Sequence, residues 1–89
     1  MWGRRHLRYI RQHRKALYTE LLTAGKLNSY LAELNDQAGD MFLRLVDQMA
    51  AAEGVSERMK AEDQMEWVRR MNSIRSRAEE AVNNDLIYA

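Results

Sequence analysis

The sequence predicts an all-α protein, a small antiparallel three-helix bundle, and three observations predict it. The 89 residues include no proline and only four glycines, so little in the chain interrupts a helix. Apolar residues recur three and four positions apart along most of its length, the spacing that places them on one helical face. Two of the glycines, Gly25 and Gly54, stand where one such pattern stops and the next begins, as left-handed residues after a helix C-terminus do. They divide the chain into segments of roughly 4–24, 27–53 and 56–84, read as the three helices of a single domain over residues 1–89. A chain of this length buries only about 60–65% of its unfolded surface, so the core is expected to be modest.

In the first segment Leu7, Ile10, Leu17, Tyr18 and Leu21 share one face of a continuous amphipathic helix. Arg14 falls inside that apolar stripe, where its side chain must snorkel out or meet an acidic residue within the fold. The second segment has the clearest period: Leu31, Leu34, Ala38, Met41, Leu45, Gln48 and Ala52, widened by Phe42, Val46 and Met49, as in a core-facing bundle helix. Its opposite face carries Glu33, Asp36, Asp40 and Asp47, and Gly39 is a weak point that would permit a close contact or a slight bend. Ser56 reads as the N-cap of the third segment. Trp67, Met71, Ile74, Ala78 and Ala81 form its core stripe, flanked by Val68 and Val82. The final Asp85-Leu86-Ile87-Tyr88-Ala89 reads as a frayed tail able to dock apolar side chains.

Charge is the feature with functional content. Residues 1–25 hold six cations against one acid, Glu20, while the chain as a whole has a net charge of only +1. Arg4, Arg8, Arg11 and Lys15 follow i, i+4, i+7 and i+11 along the predicted first helix and so face one way, with Arg5 beside them. Arginine gives planar, bidentate hydrogen bonding to phosphate or carboxylate. A row of cations on phosphates also makes binding steeply salt-dependent. Trp2 and Tyr9 lie close enough to stack on a base or to anchor the chain entering the helix. Three readings of the row stand together: a solvated face partly neutralised by the acidic stripe of the second segment, a nucleic-acid contact, or a contact with an acidic protein surface.

Other chemistries lack their residues. With no cysteine there is neither a disulfide framework nor a thiolate metal site. His6 and His13, seven apart, offer two imidazoles with no third ligand among arginines that repel a cation, so no metal or cofactor is expected. The acidic stripe faces water rather than a cleft. No glycine-rich phosphate loop or nucleophile elbow is present, and no enzyme is expected. No apolar run approaches the ~20 residues of a membrane span, and the start of the chain has no signal-peptide core, so a cytoplasmic protein without membrane contact is expected. Leu43 falls on the charged side of its helix, and the methionines, Met65 among them, read as core filler unless they form a patch.

The stretches WGRRHLRYI at 2–10, LLTAGKLNSYLAEL at 21–34, EGVSERMKAEDQMEWVRRMNSIR at 53–75 and VNNDLIYA at 82–89 together resemble the TnpV family of small transposon-encoded proteins. The resemblance covers nearly the whole chain in order. It implies carriage on a bacterial mobile element and brings no catalytic residues to carry over. It also implies an acidic, proline-containing segment ahead of Trp2-Gly3, which this sequence lacks. The expectation is a non-enzymatic accessory protein whose basic N-terminal helix (Arg4, Arg5, Arg8, Arg11 and Lys15) contacts DNA or a nucleoprotein complex. Two alternatives remain open. One is an inhibitor that binds a host defence nuclease or effector, as anti-CRISPR proteins do; the other is a structural subunit that forms homodimers.

Overall fold

The computed structural model describes all 89 residues, Met1–Ala89. It is all-α: α1 (Trp2–His13), α2 (Lys15–Thr23), α3 (Leu27–Ala52), α4 (Glu57–Glu62), α5 (Gln64–Val82) and one π-helical turn, Asn83–Ile87. The three expected segments are all present, but the first and third each divide in two. The predicted helix over 4–24 breaks at Arg14 (φ −132°, ψ 58°) and that over 56–84 breaks at Asp63 (φ −147°, ψ 81°).

Four of the boundaries have a local cause. Gly25 and Gly54 both sit at φ +70°. The residue after each donates back to the carbonyl five positions earlier, Lys26 to Leu21 at 2.9 Å and Val55 to Ala50 at 2.8 Å. This is the Schellman closure that a left-handed glycine permits. Ser56 accepts from the Met59 amide at 3.3 Å, so the predicted cap is made. Asp63 caps α5 by accepting from the Glu66 amide at 3.2 Å. The break at Arg14 has neither proline nor glycine to explain it.

α3 is the spine. α5 runs antiparallel to it beyond the Gly54 turn, and α1 runs antiparallel to its first half, with Trp2 beside Phe42, Gly3 beside Leu31 and His6 beside Tyr30. A Cβ on Gly3 would stand 3.1 Å from the Leu31 carbonyl oxygen, so this glycine lets α1 pack closely on α3. Gly39, by contrast, has nothing within 4 Å of a Cβ and interrupts nothing.

Most of the core lies in two small clusters along α3, with Ile10 of α1 fully buried outside both. Trp2, Leu34, Ala38, Val82 and Ile87 form one, Val46, Val55, Ile74 and Ala78 the other, and Phe42 and Leu45 pack against both. Gln48 and Ala52, expected in the core stripe, are exposed near the end of α3, and so is Val68 on α5. The tail is not frayed: it turns through the π-helical segment, Tyr88 donating to the Asn83 carbonyl at 2.8 Å, and buries Ile87 completely.

Candidate nucleic-acid interface

α1 owes its position to a seam of polar and apolar contacts on one side, which leaves its other side free. Trp2, His6 and Ile10 are its buried residues, at i, i+4 and i+8. Asn35 Oδ1 accepts from the Gly3 amide at 3.1 Å, satisfying one of the open N–H groups of the first turn. His6 is the polar centre of the seam and only 4% exposed. Its Nδ1 lies 2.8 Å from the Ile87 carbonyl oxygen and its Nε2 2.8 Å from the Tyr30 hydroxyl. A carbonyl can only accept, so Nδ1 donates and Nε2 accepts from Tyr30 in the neutral ring. His6 thus pins the C-terminal turn and α3 to α1.

The predicted cations fall into three groups. Arg4, Arg8 and Arg11 are exposed, share one face of α1 and make no ion pair. Arg5 does the opposite. It pairs with Glu79 at 2.7 Å, reaches Asn83 at 3.4 Å and lies over the Trp2 ring, with a quarter of its side chain exposed. Lys15 is exposed but opens α2, so the break at Arg14 takes it off the helical period it was expected to continue. Arg14 is not met by an acidic side chain: it is exposed, and its guanidinium donates to the backbone oxygen of Ala89 at 3.1 Å.

The acidic stripe Glu33, Asp36, Asp40 and Asp47 is exposed on α3 and pairs with none of these cations. The neutralisation allowed for in the sequence therefore comes from α5, through Glu79, and reaches Arg5 alone. The free face keeps its full charge. Arg11 stands over the Tyr18 ring of α2 at 5.3 Å, which holds its guanidinium at the surface.

Trp2 is buried against Phe42, at 5.7 Å between ring centroids, and so is not free to stack on a base. The rings beside the cations are others. Tyr9 lies 5.2 Å from His13 and 5.6 Å from Tyr88, edge to face with the latter. Together with Arg5, Arg8 and Gln12 they line a cleft of about 540 Å³ between α1 and the C-terminal turn. Tyr88, Gln12 and His13 were not singled out from sequence as partners of the arginines. The signal available was Ile87: burying it at the end of the chain obliges the next residue to lie against α1.

Met65, 82% exposed, and Val68 line a groove of about 600 Å³ on α5 with Arg69 and Asn72. Leu43 belongs to a different depression, with Trp2, Gly39 and Phe42. No group of three or more His, Asp or Glu side chains is arranged to hold a metal, and both nitrogens of His6 are already engaged. No helix is long and apolar enough to cross a membrane.

The family model described as transposon-encoded protein TnpV matches residues 1–87. No curated protein and no solved structure matches the chain.

Proposed function

We propose a role in nucleic-acid contact for this chain, which belongs to the TnpV family of transposon-encoded proteins. A protein carried by a transposon shares its setting with DNA ends and the complexes that process them, and α1 offers the chemistry such a setting uses. In this reading the chain is a non-enzymatic accessory protein, and the outward row Arg4, Arg8 and Arg11 contacts the phosphate backbone. The observation that carries it is that these three guanidiniums stay exposed without a carboxylate partner while Arg5, one residue away, is paired. Lys15 adds positive charge at the start of α2.

The test is binding of a labelled DNA measured across salt concentrations. Wild type should bind at low salt and weaken steeply as salt rises; Arg8→Glu with Arg11→Glu should abolish binding. Affinity indifferent to both salt and charge reversal would sink the proposal.

A second reading draws on Met65 and Val68, apolar side chains exposed beside Arg69 on α5. That face suits a protein partner: a defence nuclease or effector, or a second copy of the chain. A stable complex captured through α5, lost on Met65→Lys and indifferent to Arg8→Glu, would favour it.

A further inference from the structure

We infer that the cleft between α1 and the C-terminal turn receives an unpaired nucleobase, so that the nucleic acid bound is single-stranded or locally opened. The inference rests on the nucleic-acid reading of α1 and adds the form of the ligand. A row of arginines alone suits any phosphate backbone, and duplex and single strand differ chiefly in whether base faces are available. The protein places such a face where only an open base can use it.

The lining of the cleft carries this. Tyr88 lines the cleft with 48% of its surface exposed, next to Ile87, which is fully buried and anchors the turn. It is fixed there by the π-helical closure from its own amide to Asn83 and by edge-to-face packing on Tyr9. His13 extends the aromatic wall from the other side of Tyr9. Among the side chains lining the cleft there is no carboxylate, and Arg8 belongs both to the cleft and to the outward row. A base stacked on Tyr88 would therefore have a flanking phosphate within the field of Arg8. Gln12 supplies an amide that can both donate to and accept from a base edge.

Stacking of this kind tolerates any sequence, because every base has a π-face, and combines with a cationic track in single-strand binding proteins generally. A duplex contacting the same arginines leaves Tyr88 unused.

The experiment is fluorescence anisotropy with a labelled 12-nucleotide oligothymidine and with a blunt duplex of equal length. Wild type, Tyr88→Ala, Tyr88→Phe and Arg8→Glu are compared, with thermal melts confirming that each variant folds. The expected result is tighter binding of the single strand by wild type, a loss of roughly tenfold in that affinity on Tyr88→Ala, and retention with Tyr88→Phe, which keeps the ring. Duplex binding should be unchanged by either Tyr88 variant. If Tyr88→Ala leaves single-strand affinity intact while Arg8→Glu destroys binding to both probes, the base-binding inference fails and the reading of α1 stands. If neither probe binds wild type at low salt, both fail.

Discussion

His6 is the side chain on which most of the arrangement of α1 depends. It is buried, both ring nitrogens are used, and its partners come from opposite ends of the chain: Tyr30 on α3 and Ile87 in the terminal turn. His6→Ala leaves a buried carbonyl without a donor and opens a cavity beside it. A loss of about 2–3 kcal/mol in unfolding free energy is expected, read from urea denaturation; an unchanged midpoint would remove His6 from this role. The glycines make a matched pair at the same scale. Gly39→Ala should raise stability by about 0.5–1 kcal/mol, since an added methyl meets open space on a helix that is continuous through it. Gly3→Ala should lower it instead, because the new Cβ would press within 3.1 Å of the Leu31 backbone oxygen of a packed helix. The two melting shifts are predicted to have opposite signs.

At the scale of elements, the start of α5 is organised by charge as well as by its cap. The Glu66 carboxylate accepts from Arg70 at 2.8 Å and from Arg69, and the hydrogen bond from Arg70 is the main reason it titrates below its ordinary value of 4.5. A carboxyl depressed in the fold stabilises it above the ordinary carboxylate value, and that contribution is lost as pH falls through the depressed one. The stability gap between wild type and Glu66→Gln should therefore be present at neutral pH and close on acidification below about pH 4. Thermal melts across that range give the measurement, and a pH-independent gap would contradict it. Because the pair is solvent-exposed, the effect is small.

Asp63 and Arg14 show why segment boundaries were legible at some places and not others. Asp63 followed three residues later by Glu66 is a recognisable capping pattern, but it lies inside an apolar period that reads as one helix from Ser56 onward. Arg14 has no such marker. Nothing in its neighbours along the chain marks the break, and its one hydrogen-bond partner, Ala89, lies seventy-five residues away. The glycine turns at Gly25 and Gly54 were legible because each needs a positive φ that other residues avoid. For the candidate site, helical spacing identified Arg4, Arg8 and Arg11 as one face. It could not separate Arg5 from them, since Glu79 approaches from a helix more than seventy residues away.

Over the whole molecule, two small clusters strung along α3 make an elongated body, 55 × 20 × 18 Å, with a radius of gyration of 16.7 Å. A compact chain of this length would have about 12 Å. Small-angle scattering should give a value near the larger figure for a monomer, whereas one near 12 Å would mean that α2 or the α4 end folds back. The elongation matters for function because it presents α1, with its cations, along one flank rather than closing it into a bundle interior. It also explains why the fold class was readable from periodicity while the shape was not: spacing reports which faces are apolar, not how far along a helix its partners extend.

The most direct test of the central claim, that Arg4, Arg8 and Arg11 form a phosphate-binding face, is the slope of log affinity against log salt for a labelled oligonucleotide. It should be measured for wild type and for the triple variant Arg4→Gln, Arg8→Gln, Arg11→Gln. Each lost phosphate contact should flatten the slope by about 0.7–0.9, so a difference of about 2–3 is expected alongside much weaker binding. Equal slopes for the two proteins, or no binding by wild type at low salt, would contradict the claim.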